Sequence, residues 1–517
     1  MSLSSTRPGT VYLVGAGPGH PGLITRMGYE LLQSCDAVAY DALIPLELIA
    51  ALPPRVERHY VGRRAGRHSM PQSEKMQVLV DLALRGLNVV RLKGGDTSLF
   101  AGSAEEMECL AAAGIPVVVI PGVTAASAVA AASGLSITDR RMASWAFLAT
   151  GHGSSCEPIQ VPWRAIAALS GGTVVVYMGL ANLEQIVVEL REGGIAMDTP
   201  CMVVQGASTG LQRTVETTIR ELVGECCRQG LKPPVLVVIG EVVRHRTRDT
   251  GREEPLAGKR VLVTSSALDT QKICRLLREH GAEPIPHPTF VLEEVDDREG
   301  WAEFDRVAGT GGWCVFAGEP EVRGFVDGLL RHELDLRRLA RFKIAAHGHT
   351  TARALLERGL KADLVSQLPV EQMLRLELRN GYGSNFGSLV TMSAGATEMA
   401  LEADTSAGWT DIIRLRLYRT APAPWEPHWV QELAENPPDY TVFTSPMAVD
   451  GLVETLGRDT ADRVTAQGRI VSIDRPTTDA AERHAFPVAV TAGIATLEGL
   501  VSALEHLSQR HLSASLQ

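Results

Sequence analysis

The sequence is poor in aromatic residues, has no long unbroken apolar run, and carries no surplus of positive charge. Phe, Trp and Tyr together make up 5% of the 517 residues, which argues against an aromatic platform for single-stranded nucleic acid. Lys and Arg number 50 against 60 Asp and Glu, a formal charge of −10, so non-specific nucleic-acid binding is not expected. The longest apolar stretch, near residues 111–137, is cut by Pro116, Pro121 and several glycines. A membrane-spanning helix needs about 20 apolar residues in a row, so no membrane partner is expected. The start, MSLSSTRPGT, lacks the apolar core of a secretory signal. The eight cysteines include no C-x-x-C pair, so neither a zinc knuckle nor a disulfide framework is indicated and no metal site is expected. A cytoplasmic protein with reduced, packed thiols is the reading.

What is present is alternation. VYLVGAG, CDAVAY, NVVRLKGG, IPVVVIPG, TVVVYMG and PVLVVIGEVV read as buried strands separated by amphipathic segments. This predicts an α/β chain with largely parallel sheets. The pattern lapses between Arg244 and Lys259, where charge, Gly and Pro read as a linker. A second αβ series follows, with KRVLVTS, WCVFAG, FKIAAHG, SLVTMS and YTVFTS as strands. It is loosely duplicated: RFKIAAHGHTTARALLERGL parallels GRIVSIDRPTTDAAERHAF, and WCVFAGEPEV parallels YTVFTSPMAV. The expected domains are 8–246, a linker at 247–257, and 258–510. At about 250 residues each, both halves are long enough to bury a core of their own, and few contacts are expected to cross the linker.

Three glycine-bearing strand ends stand out in the first half. Gly15-Ala-Gly17-Pro-Gly19 departs from the dinucleotide fingerprint, because His20 stands where that fingerprint has glycine. Leu92-Lys-Gly94-Gly95-Asp96 pairs bare backbone with a hydrogen-bond acceptor, and Pro121 to Ser127 is a run of small residues. Open α/β sheets bind ligands at the carboxyl ends of their strands, so the three ends suggest one pocket. The second half offers only hydroxyl-bearing turns, Thr350-Thr351, Thr444-Ser445 and Thr477-Thr478. Such turns either cap helices or bind carboxylates through backbone N–H groups.

VYLVGAGPGHPGLIT, YDALI, VGRRAG, VVRLKGGDTSLF and PGVTAASAVAAASGLSIT, in this order over about residues 10–245, resemble the successive signatures of uroporphyrinogen-III C-methyltransferases. The resemblance implies a two-lobed tetrapyrrole-methylase fold, a homodimer formed through this half, and S-adenosyl-L-methionine held between the lobes. By motif, the donor site would comprise Pro18, Gly94, Gly95, Asp96, Leu99, Thr124, Ala125, Met178 and Ala207. The family's acid–base pair falls at Asp41 and at Arg63, which stands where the family commonly has Lys. Arginine stays protonated, so Arg63 is read as an anchor for a substrate carboxylate, and Asp41 as the base. Arg64 and Arg67, with His68, suit the acetates and propionates of uroporphyrinogen.

The second half resembles uroporphyrinogen-III synthases through RVLVTS, YTVFTSPMAVDGL, the two strand–Thr-Thr–helix units, ATLEGLVSAL and LYRTAP. This implies a two-lobed α/β uroporphyrinogen-III-synthase-like fold, with one lobe discontinuous (about 258–287 and 422–510) around the other (about 291–416). The connecting strands would lie near Pro286 to Leu292 and Arg416 to Pro422. The family's tyrosine falls at Tyr418, where it would assist loss of the substrate hydroxyl. Thr350, Thr444 and Ser445 are the candidate carboxylate binders. Together the halves imply an enzyme that cyclises hydroxymethylbilane to uroporphyrinogen III and methylates that product to precorrin-2, on the way to sirohaem or a corrinoid. The alternative is a methylase whose second half binds tetrapyrrole without catalysis.

Overall fold

The computed structural model describes residues 7–62, 70–151, 161–247, 254–368, 370–374, 387–394, 409–423 and 425–515. Contacts divide the chain into two compact units, one formed by residues up to Pro288 and from Glu426 onward, the other by Thr289–Trp425. Among the described residues, no helix is long and apolar enough to cross a membrane.

The first unit begins with two sheets. Strands β1 (Val11–Gly15), β2 (Ala37–Tyr40), β3 (Glu57–Tyr60), β4 (Val89–Lys93) and β5 (Val117–Ile120) lie in the order β3-β2-β4-β1-β5, every pair parallel. Val11, Leu13, Ala37, Ala39, Val89 and Leu79 fill the core on one face. Strands β6 (Trp145–Thr150), β7 (Gly172–Tyr177), β8 (Pro200–Gln205), β9 (Arg213–Thr218) and β10 (Val235–Ile239) lie in the order β6-β7-β10-β8-β9. Here only β6 and β7 run parallel; the pairs β7–β10, β10–β8 and β8–β9 are antiparallel. The expectation of largely parallel sheets therefore fails for this one. Only β8 and β9 are joined by a short turn, which suffices for an antiparallel pair. β7 and β8 run the same way through the Leu183–Glu192 helix, and β10, arriving through the Leu222–Arg228 helix, inserts between them in the opposite direction.

The second αβ series starts with β11 (Arg260–Ser266), which enters β12 (Glu283–Glu294) after one helix. The second unit holds β13 (Gly312–Phe316), β14 (Phe342–His347), β15 (Leu364–Ser366), β16 (Ser388–Ala394) and β17 (Asp411–Pro422), paired in parallel in the order β15-β14-β13-β16-β17. Phe290–Glu294 of β12 pair antiparallel with Tyr418–Pro422 of β17. Its core is aromatic for so aromatic-poor a chain: Trp301, Phe304, Phe316, Phe325 and Tyr418 are all buried. Back in the first unit, β18 (Tyr440–Phe443), β19 (Arg469–Ser472) and β20 (Val488–Thr491) continue a parallel run from β11. The sequence duplication maps onto this arrangement: β13 then β14 in one unit, β18 then β19 in the other, each strand followed by a helix.

Candidate methylation and synthase sites

The first site lies at the carboxyl ends of β1, β4 and β5. Ala16 donates to the Lys93 carbonyl (2.8 Å), and Gly17 and Gly95 exchange both backbone hydrogen bonds (2.8 and 3.2 Å), so two glycine turns run side by side. A Cβ on Gly122 would sit 2.3 Å from the Gly95 carbonyl oxygen, and one on Gly15 2.7 Å from the Gly122 Cα. Only glycine permits that approach of backbone to backbone. Gly95 has φ +72°, and the space its Cβ would take is free of other atoms to 4 Å. At Gly94 only the Leu43 Cβ comes within that range, at 3.7 Å. The backbone here is therefore bare to a ligand.

Asp96, 8% exposed, clamps the loops together. Its carboxylate accepts from the Gly122 amide (2.8 Å), from the Ser98 amide (2.8 Å) and from the Ser98 hydroxyl. Burial raises its pKa, but the hydrogen bonds from Ser98 and Gly122 outweigh that and hold it below the ordinary carboxylate range. The Leu99 amide closes the same turn onto the Asp96 carbonyl (3.4 Å).

The second sheet supplies the opposite wall. Tyr177, at the end of β7, shares a hydrogen bond with Thr124 Oγ1 (2.7 Å) and accepts from the Ala126 amide (3.0 Å). It thus serves as the side-chain cap of the Ala125–Ala132 helix, which Thr124 itself does not provide. The turn after β8 meets the first glycine turn: the His20 amide donates to Ser208 Oγ (3.3 Å), and a Cβ on Gly19 would lie 2.7 Å from the Ala207 carbonyl oxygen. Pro18, the Gly94–Leu99 loop, Thr124, Ala125, Met178 and Ala207 are so brought into one region. Phe100, Met178 and Ser208 there have φ of 53°, 52° and 61°. Left-handed backbone in non-glycine residues costs energy and gathers at ligand sites. Phe100 and Ser208 escaped the sequence reading, since a left-handed φ at a non-glycine residue leaves no mark in composition, and Tyr177 escaped it because it closes an apolar strand and reads as core. Bare glycine backbone, small side chains and Thr124 fit a nucleoside-bearing donor such as S-adenosyl-L-methionine.

Asp41 follows β2, and both its oxygens accept from Arg91 Nη2 at 2.9 Å. Arg91 in turn lies 3.3 Å from Glu106, whose other oxygen meets Lys93 Nζ at 2.5 Å. The Arg91, Lys93 and Glu106 side chains are 3%, 4% and 2% exposed, and Asp41's is 26% exposed. Two cations and two anions thus balance in the interior. Burial and the adjacent Arg91 push the Lys93 ammonium below its ordinary range. The signal was present in NVVRLKGG: Arg91 and Lys93 are spaced by two on a strand otherwise wholly apolar, so both side chains fall on one buried face. Arg63, Arg64 and Arg67 lie outside the described residues, as does His68.

Residues 10–223 match the family of tetrapyrrole (corrin/porphyrin) methylases, and residues 271–502 match uroporphyrinogen-III synthase HemD. The porphyrin biosynthesis protein HemD of Ruminiclostridium josui is 30% identical over 498 residues, 96% of this chain and 97% of its own length. The chain belongs to the family that joins a uroporphyrinogen-III C-methyltransferase to a uroporphyrinogen-III synthase. The uroporphyrinogen-III C-methyltransferase of Bacillus subtilis is 33% identical over 352 residues, 68% of this chain and 72% of that one. The chloroplastic S-adenosyl-L-methionine-dependent uroporphyrinogen III methyltransferase of Arabidopsis thaliana is 41% identical over 238 residues, 46% of this chain and 64% of that one.

In the synthase half of this family member the hydroxyl-bearing turns are largely structural. Ser445 caps the Pro446–Leu456 helix by accepting from the Ala448 amide (3.2 Å). Thr444 is half-buried and donates to the Thr264 carbonyl (3.3 Å) and to Ser265 Oγ (3.0 Å). Thr477 and Thr478 are buried, and Thr478 Oγ1 bonds with Ser472 (2.6 Å) and Thr491 (2.7 Å). In the second unit Thr350 is exposed in the first turn of the Gly348–Glu357 helix. Tyr418 is 4% exposed, and its ring lies so close to Gly324 that a Cβ there would be 2.6 Å from the hydroxyl. The structure places this tyrosine in the core of its unit rather than on an open face.

Proposed function

We propose that this chain makes uroporphyrinogen III and then methylates it. The C-terminal half cyclises hydroxymethylbilane, and the N-terminal half transfers methyl groups from S-adenosyl-L-methionine to the ring carbons of the product, giving precorrin-2. The observation that carries this reading is the convergence of three glycine-bearing strand ends with the Tyr177–Thr124 wall, in a chain whose two halves match the tetrapyrrole methylases and uroporphyrinogen-III synthase HemD. Uroporphyrinogen is an electron-rich macrocycle bearing eight carboxylates. S-adenosyl-L-methionine supplies a methyl group activated by a positively charged sulfur. The pyrrole carbon forms the new C–C bond as the C–S bond breaks, and the macrocycle then gives up a proton.

The chain's own tasks are alignment, exclusion of water and acceptance of that proton. Asp96 fixes the loops on which Gly94 and Gly95 present their backbone. Asp41, oriented by Arg91, takes the proton on an oxygen lone pair that the guanidinium leaves unused. Arg63, Arg64 and Arg67 anchor substrate carboxylates. We extend the reading to a homodimer in the cytoplasm that feeds sirohaem or corrinoid synthesis. The test supplies purified protein with hydroxymethylbilane, with and without the methyl donor. Type-III uroporphyrinogen is expected without donor and a dimethylated product with it. A product consisting only of the type-I isomer, which forms by spontaneous closure, would remove the synthase assignment.

A further inference from the structure

Asp41 is flanked on both sides by contacts from the synthase half. Upstream of it, Tyr40 is fully buried, and its hydroxyl accepts from Trp429 Nε1 (3.2 Å) beneath a nearly parallel indole, with centroids 6.3 Å apart at 7°. Beside it, His428 stacks on Tyr60 at 3.8 Å and 16°, and Tyr60 meets Tyr40 edge-on at 5.6 Å. Tyr40 ends β2 and Tyr60 ends β3; two residues on, a Cβ at Gly62 would be 2.4 Å from the Ala42 amide nitrogen, so the chain leaving both strands is in contact next to Asp41. Downstream, the Leu46–Ala50 helix carries Glu47, both of whose oxygens accept from Arg278 Nε at 2.9 Å. The remaining Arg278 nitrogens bind Glu283 at 3.2 and 3.1 Å. Glu283 also accepts from the Gly210 amide (2.8 Å), in the turn that carries Ala207. The Arg278 side chain is 8% exposed and the Glu47 side chain 11%.

One arginine of the synthase half therefore ties the helix after Asp41 to the turn bearing a donor-site residue, while one tryptophan holds the residue before Asp41. A buried ion triad is poor value for stability alone, because desolvation offsets its Coulomb energy; what it does fix is geometry. We propose that Arg278 and Trp429, residues of the synthase half, are positioning residues for methylation, holding the Asp41 loop in its working place. The inference rests on Asp41 acting in methyl transfer.

The test uses the full chain with supplied uroporphyrinogen III at saturating donor and acceptor. Arg278→Met keeps the stem and removes the charge; Trp429→Phe keeps the ring and removes the N–H. Both are expected to lower methylation kcat about tenfold to a hundredfold, the scale on which a misplaced catalytic group reduces rate. Synthase turnover in the same preparations should stay within about twofold of the parent, and Arg278→Lys should recover part of the methylation. Should Arg278→Met not fold because Glu47 is left buried and unpaired, Arg278→Met with Glu47→Gln removes that charge and carries the test. Folded variants whose methylation kcat lies within about twofold of the parent overturn the proposal. So does a loss of both activities in step, which marks a purely structural contact. If the parent itself does not methylate supplied uroporphyrinogen III, it is the underlying assignment of the methylase site that fails.

Discussion

Asp41, Arg91, Lys93 and Glu106 form a closed set of opposite charges beneath the candidate methylation site, and removing any one leaves a surplus. Asp41→Asn keeps the size and one acceptor oxygen while removing the base. Turnover of supplied uroporphyrinogen III is expected to fall by about 10²–10⁴, with the calorimetric Kd for S-adenosyl-L-methionine unchanged. Because the aspartate side chain is 26% exposed, the fold should lose only about 1–3 kcal/mol in urea unfolding. Wild-type turnover in this variant would show that water or substrate accepts the proton. A second residue reports on pH. Glu321 in the second unit accepts from the Ala317 amide at 2.5 Å, and burial pushes its carboxyl up from 4.5 to about 7 despite hydrogen bonds from the Ala317 and Gly318 amides. The folded chain thus holds a proton that the unfolded chain loses as pH rises past 4.5. Its contribution to stability is greatest below that value, declines toward about pH 7 and is level above it, a total of about 3 kcal/mol. Glu321→Gln should therefore gain on the parent as pH is raised from about 5 to about 8. An equal difference in urea midpoint at both pH values would refute the raised pKa.

Among the elements, most apolar strands were legible, β10 included although both its pairs are antiparallel, and the polar edge strands were not. β1, β4, β5, β7 and β10 are runs of Val, Ile and Leu with buried patterns or strand-end glycines. β3 (ERHY) and β9 (RTVETT) sit at sheet edges, half-exposed, and carry no apolar face to announce them. The glycine turns at the strand ends were legible because glycine there has a backbone reason; of the ion network only Asp41 stood out, and Arg91, Lys93 and Glu106 show as its partners only once the fold brings them together. In the synthase half the hydroxyl turns were read with two meanings, and at Ser445 and Thr478 helix capping and core hydrogen bonding prevail. One helix–strand contact there can be tested directly. Gly324 of the Glu319–Arg331 helix leaves room for the Tyr418 ring, whose nearest atoms would lie 2.6 Å from an added Cβ. Gly324→Ala should cost about 1–3 kcal/mol by overpacking and lower synthase turnover, leaving methylation of supplied uroporphyrinogen III intact. Tyr418→Phe should fold normally. Unchanged stability in Gly324→Ala would mean that the ring is not seated against this helix.

At the scale of the molecule, the polar stretch around residue 250 suggested two halves that work apart. The contacts divide the chain elsewhere, and the first unit takes in both methylase sheets together with the β11, β18, β19 and β20 part of the synthase half. A polar stretch carries no information about surfaces brought together from distant positions, and even within this one Leu256 is fully buried. Tyr40 and Trp429 are 389 residues apart in sequence, and Glu47 and Arg278 are 231 apart. A fragment ending near residue 250 keeps the cores formed by Val11, Leu13 and Leu79 and by Val175, Tyr177 and Val204, so it should fold and bind S-adenosyl-L-methionine. It also strips the indole from Tyr40 and leaves Glu47 without its arginine. Methylation by this fragment should therefore fall well below that of the full chain at saturating substrate. Adding the fragment from residue 256 onward should restore it only as the two form a complex that co-elutes by size exclusion, with activity following the bound fraction. Activity of the lone fragment equal to that of the full chain would instead show that the Asp41 loop holds its own geometry, and that the docked helices serve adhesion alone.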